Sequence, residues 1–187
     1  MKRCAVHRVK VAYGEAPSQF GHVYHPREDP TPDAPILPVV LVHGVYWSTE
    51  FGLTIETAIA RMLTERGAVV WNVEYRRVGE PGGGWPTTGR DIVAALQALD
   101  DVVPESLPVD TRARVDWSSV AVVGHSAGGQ LAVWAVAQLG ARTRATAITT
   151  VIAQSAALDL TIKADRPSLV ALMGRPYAEI PHRYAEA

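Results

Sequence analysis

The 187-residue chain is 48% hydrophobic and 20% charged, a balance that supports a real core and suits one domain over residues 1–187. With a formal net charge of -1, a sequence pI of about 6.6 and no basic stripe, nucleic-acid binding has no electrostatic support. Cys4 is the only cysteine, which excludes an internal disulfide and a Cys/His zinc cluster. The basic start MKRCAVHRVKVAYGE has no apolar stretch behind it, and no run of about 18 apolar residues occurs. The default expectation is therefore a soluble cytoplasmic protein with neither membrane nor nucleic acid as partner.

Residues 1–25 read as short β structure, with Val9 and Val11 alternating and a second strand over Phe20 to Tyr24. His25 to Pro38 is proline-rich and polar, hence a loop. Val39–Val42 is a continuous apolar run, as in a strand buried on both faces of a parallel sheet. A helix is predicted from Thr54 to about Arg66, with Ile55, Ala58, Ile59, Met62 and Leu63 as its buried stripe and Gly67 as its stop. Ala68–Val73 is the next strand. A glycine-rich loop from Gly79 to Thr87 leads into a helix capped near Thr87 or Thr88, with Asp91 placed toward its positive end. Its stripe is Ile92, Ala95, Leu96 and Leu99. Val120–Val123 is a strand, Gly124 to Leu139 turns into a helix apolar almost all round, and Ile148–Ala153 is a further strand. Alternating strands and helices of this kind predict an α/β fold, a mostly parallel sheet with helices on both faces.

The strongest motif is Gly124-His125-Ser126-Ala127-Gly128-Gly129, which fits G-x-S-x-G between a buried strand and a helix. A serine on so sharp a turn is lifted above the carboxyl edge of the sheet, and glycines two residues to either side keep the space clear. The helix that follows aims N–H groups at developing negative charge, so the Ala127 N–H is one oxyanion donor. His43-Gly44-Val45-Tyr46-Trp47 follows the first long strand, where a loop can supply the second donor, from Val45 or Gly44. Tyr46, Trp47 and Trp85 are candidate walls of a substrate pocket, or loop packing. His125, beside the serine, is placed with the pocket residues, with packing as its expected role.

Taken together, the two motifs resemble an α/β-hydrolase of the esterase/lipase group, close to the kynurenine formamidase (arylformamidase) type with its H-G-G-x-W loop and G-H-S-A-G-G elbow. Trp71-Asn72-Val73-Glu74-Tyr75-Arg76-Arg77 and Gly82-Gly83-Gly84-Trp85-Pro86 are also similar to bacterial members. The resemblance implies a Ser126 nucleophile acting on small carboxylic esters or N-formyl amides, with no metal and no organic cofactor. The family's second loop glycine is Val45 here. Either the loop needs a positive φ and the oxyanion hole is distorted, or it does not and only substrate space narrows; the second is the expectation.

The resemblance also implies the chain order Ser, acid, His, with the acid and the histidine on strands later than Ile148–Ala153. His7, His22 and His25 precede the core strands, and His43 shapes the loop. His182 is the one histidine after the serine, and with Asp159 or Asp165 it would give the required order. Its expected place is a solvated loop or helix end, and Asp159 reads as a structural aspartate. Glu74, Tyr75 and Arg76 either line the site or form a buried network. A second reading is a catalytically incomplete fragment or pseudo-enzyme acting as a binding or assembly module. In either case a strand at Ile148–Ala153 without a neighbour leaves an apolar edge open to a second copy or a complementing chain.

Overall fold

The apolar β-branched runs become the middle of a sheet, joined by helical connections. The structure is a computed structural model describing residues 5–27 and 34–187. Cys4 and the centre of the proline-rich segment lie outside the described residues. The strands are β1 (Val6–Ala12), β2 (Phe20–Pro26), β3 (Pro38–Val42), β4 (Val69–Val73), β5 (Val120–His125) and β6 (Ile148–Gln154). The helices are α1 (Thr57–Thr64), α2 (Thr87–Gln97), α3 (Val102–Glu105), α4 (Val109–Arg114), α5 (Ala127–Gln138), α6 (Pro167–Met173) and α7 (Pro181–Glu186), with 3-10 turns at Leu53–Glu56 and Ala98–Asp100.

The six described strands form one sheet in the order β1-β2-β4-β3-β5-β6. β1 and β2 pair antiparallel and β2 meets β4 antiparallel, while β4, β3, β5 and β6 run parallel. Every residue of β3 and of β4 is buried, as continuous apolar runs in the middle of a parallel sheet require. β6 is the last described strand on its side of the sheet. α2 and α5 cover one face with Ile92, Ala95, Leu96, Leu131, Ala132 and Ala135, all fully buried.

Two local expectations are corrected. The stripe assigned to α1 meets the sheet only through half-buried Leu63: Ala58 is exposed, Ile55, Ile59 and Met62 are 38%, 40% and 43% exposed, and Ala60 and Thr64 are the helix's buried positions. The small Ala60 lets the backbone approach β4 closely, and the Thr64 hydroxyl is satisfied by donating to the Ala60 carbonyl (2.9 Å). Asp91 does not serve the α2 N-terminus. Its carboxylate takes a two-pronged bond from Arg76, with Nε to Oδ2 at 2.9 Å and Nη2 to Oδ1 at 2.6 Å. That planar pairing is stronger than a helix-dipole contact. Thr88 supports the same corner by donating to the Arg76 carbonyl (2.7 Å). Among the described residues no helix is long and apolar enough to cross a membrane.

Candidate active site

At the carboxyl end of β5 the chain turns into α5 within one residue. Ser126 occupies that turn with φ 52 and ψ -117, a strained combination for a residue with a side chain. The tight turn depends on bare backbone at two positions. A Cβ on Gly124 would collide with the carbonyl of Gly128, and one on Gly128 would collide with the carbonyls of Val42 and His43. The Ser126 N–H donates to the Gln154 carbonyl (2.8 Å), which ties the turn to the end of β6. Ala127 is the first residue of α5, where a backbone N–H has no partner within the helix.

The loop after β3 lies beside this turn; Gly44 approaches the His125 carbonyl so closely that a Cβ would not fit. Val45, Tyr46 and Trp47 follow with φ 75, 57 and 56, three successive left-handed residues. This corrects the expectation that valine escapes a positive φ. Here the turn between β3 and the 3-10 segment imposes it. Left-handed backbone costs roughly 1–2 kcal/mol for a residue with a Cβ, and β-branching adds to it. Val45→Gly should therefore stabilise the fold by about 1 kcal/mol after the entropy of a freer unfolded chain is subtracted. The check is the urea midpoint; a variant less stable than the wild type would refute the strain.

A buried network holds that loop from below. His43 is fully buried, its Nε2 donates to Glu74 Oε1 (2.7 Å), and its Nδ1 lies 3.1 Å from the Gly44 carbonyl oxygen. Tyr75 stacks on the imidazole (centroids 4.4 Å apart, planes at 11°), and its hydroxyl donates to the His43 carbonyl (2.9 Å). Glu74 also accepts from the N–H groups of Leu53 (3.0 Å) and Tyr75 (3.1 Å), with Arg77 Nη1 3.6 Å away. Burial alone would raise the Glu74 pKa. The His43 bond and charge, the Leu53 N–H and Arg77 outweigh it and hold the carboxyl below its ordinary range. Glu74 and Tyr75 thus belong to the network, and Arg76 to the Asp91 pair. Trp47 is buried and donates through Nε1 to Gln130 Oε1 (3.2 Å), pinning the loop to α5.

Between loop and turn lies a cavity of about 70 Å³, lined by Tyr46, Trp47, Ser126, Ala127, Asp159 and Arg166 among others. Ser126 is half-buried at its wall. Asp159 reaches this cavity, but its Oδ1 is engaged by the Thr161 N–H (2.9 Å) and hydroxyl (2.6 Å) in a local turn. Arg166, together with Ser168, was missed by sequence reasoning: it comes after an irregular stretch with no motif, and only the return of the chain across the end of the sheet brings it here.

Two expected pocket residues lie elsewhere. Trp85 packs edge-on to Trp134 (4.7 Å, 71°) in a separate cleft of about 560 Å³ over α2 and α5. The loop that carries it is drawn there by the Trp85 N–H bond to the Leu172 carbonyl (2.8 Å). His125 is exposed on the α1 side of the sheet, where it lines a groove with Glu56 and Gln154. Alternation along β5 sends it to the face opposite its neighbours. His182 is exposed in α7 and does not line the cavity around Ser126. No group of three or more His, Cys, Asp or Glu among the described residues could hold a metal ion.

The comparisons with known proteins agree with this architecture. Esterase LipC of Mycobacterium tuberculosis (strain ATCC 25618 / H37Rv) is 30% identical over 135 residues, covering 70% of this chain and 30% of that protein. Esterase B from Lactobacillus rhamnosis, inhibited by a tributyrin phosphonate, superposes with a TM-score of 0.69 at 22% identity over 97% of this chain and 60% of its own. A bacterial heroin esterase gives 0.70 at 19% identity over 94% of this chain and 56% of its own. At these identities the two structures speak for the fold. The chain spans three fifths or less of the length of these relatives. A family profile described as alpha/beta hydrolase fold matches residues 39–177, and the chain belongs to that family.

Proposed function

We propose that Ser126 is the nucleophile of a serine hydrolase acting on small carboxylic esters or N-formyl amides. The observation that carries the reading is the strained Ser126 at the head of α5, lining a cavity whose rim is the left-handed loop 45–47. In the proposed reaction the Ser126 hydroxyl oxygen attacks the carbonyl carbon and its proton passes to a base. The N–H groups of Ala127 and of Val45 or Gly44 hold the resulting oxyanion. The carbon–heteroatom bond breaks, the alcohol or amine leaves with a proton, and water releases the acyl group from Ser126. A cavity of about 70 Å³ walled by Tyr46 and Trp47 suits a small acyl group, which supports the esterase and arylformamidase-like range. The proposal places the reaction in the cytoplasm, on the sequence grounds given above.

Among the described residues no histidine lines this cavity. The base and its orienting acid are therefore proposed to come from polypeptide outside residues 1–187, as the order Ser, acid, His implies. Without a base the chain retains binding and oxyanion effects alone, which fall orders of magnitude short of an intact triad. The test is labelling with a fluorophosphonate probe. The expected result is stoichiometric modification at Ser126, accelerated by imidazole in the buffer and absent in Ser126→Ala. Folded protein that is not labelled, or is labelled equally in Ser126→Ala, would overturn the reading.

A further inference from the structure

α5 is apolar almost all round, and a polar side chain buried in such a helix costs free energy unless its hydrogen bonds are made. Gln130 is the one buried polar side chain of α5. Both ends of its amide are engaged: Oε1 accepts from the Trp47 indole (3.2 Å) and Nε2 donates to the Ala187 carbonyl. An indole N–H can only donate, so the amide oxygen must face Trp47 and the orientation of the group is fixed. The Gln130 backbone N–H donates to the Ser126 carbonyl (3.3 Å), one turn back along the helix. One residue thus bonds the nucleophile turn through its main chain and the neighbouring loop through its side chain.

We infer that Gln130 is a positioning residue that sets the spacing of the two oxyanion donors, an inference that rests on the reading of Ser126 as nucleophile. The donors belong to separate segments, Ala127 at the head of α5 and Val45 or Gly44 on the loop after β3. Such donors act only when held within about 0.5 Å of the productive geometry. The loop does not hold itself there. Val45, Tyr46 and Trp47 are successive left-handed residues, a conformation that a Cβ disfavours, so local preference draws the backbone away. The Trp47 carbonyl accepts from the Val78 N–H (2.8 Å), which fixes the loop to the segment after β4 but not to α5. Among the described residues, the Trp47–Gln130 bond is the only hydrogen bond between residues 44–48 and α5. Trp47 is buried, so bulk water offers its indole no substitute. Gln130 does not line the cavity around Ser126; it acts on the site through Trp47.

Fluorophosphonate labelling over a range of probe concentrations, in imidazole buffer, separates probe binding from bond formation. The phosphonyl oxygen stands in for the carbonyl oxygen. Removing an oxyanion donor outright costs about 10²–10³-fold, so displacing one should cost at least about tenfold. Gln130→Met keeps the length of the side chain and loses both bonds. Per folded molecule its limiting labelling rate should fall by that factor, while the half-saturating probe concentration stays within about twofold, because the donors act on the developing charge. A merely structural role would lower the unfolding midpoint and leave the limiting rate of the folded fraction unchanged. Trp47→Phe, which spares the Ala187 bond, should slow the same step, and the double variant should be no slower than the slower single. A wild-type limiting rate in either single variant, a loss in Gln130→Met matched by weaker probe binding, or additive losses in the double variant would overturn the proposal. Wild-type protein that is folded but unlabelled would instead remove the nucleophile reading beneath it. Hydrogen exchange of the wild type decides the matter should a variant fail to fold. The Trp47 indole N–H should exchange as slowly as that of Trp71, which donates to the Ala95 carbonyl (3.0 Å); rapid exchange at Trp47 alone would mean that Gln130 does not hold the loop.

Discussion

Gly128→Ala should cost about 3 kcal/mol or more, a large share of the stability of an ordinary domain. The added methyl has no side chain to push aside. It would meet the carbonyl oxygens of Val42 and His43, and Val42 is the last residue of β3, held by β4 on one side and β5 on the other. Relief would require prising α5 away from the centre of the sheet. In thermal melts the midpoint should fall by roughly 6–12 °C, at about 2–4 °C per kcal/mol for a chain of this size. Gly140→Ala is the informative contrast. At that position nothing lies within 4 Å and only the positive φ of 61 is strained, so the loss should be about 1 kcal/mol. Equal midpoints for Gly128→Ala and wild type would mean that the close approach of α5 to β3 is absent.

Glu74→Leu should cost about 3–5 kcal/mol, the usual penalty for stripping one partner from a buried pair. The substitution leaves the His43 ring and the N–H groups of Leu53 and Tyr75 without their acceptor. The network also predicts how stability depends on pH. The Glu74 pKa is lower in the folded protein than its ordinary value of about 4.3. Its stabilising contribution is therefore complete above the unfolded value and is lost as pH falls through the folded one. Denaturant titrations should show wild-type stability declining from about pH 4.5 downward, and Glu74→Leu should lose part of that slope. Identical slopes would show that the carboxylate contributes nothing. Because His43 starts the loop that rims the Ser126 cavity, the same variant should slow fluorophosphonate labelling as well as lower stability.

The α/β architecture was legible in local sequence. The runs Val39–Val42, Val69–Val73 and Val120–Val123 are short, rich in β-branched residues and each followed by a helical pattern, which reads as strands of a parallel sheet; the first two are buried throughout and the third on alternate residues. The elbow around Ser126 was legible for a different reason: its geometry excludes side chains at fixed offsets, so the glycines appear in the sequence itself. Facing was not legible. The α1 pattern names an apolar stripe but not what it meets, and Ile55, Ile59 and Met62 turned outward while Ala60, Thr64 and Leu63 face the sheet. Alternation along β5 sent His125 to the far face, and the bond from Trp85 to Leu172 drew that indole into another cleft. Arg166 entered the cavity only through the path of the chain after β6. The succession of strands and helices and the sharp turn at Ser126 were thus determined by the sequence alone, since both follow from short-range sterics and the period of burial. Which side chains share a cavity was decided by the tertiary structure, because that depends on contacts between segments far apart in the chain, which local pattern does not encode.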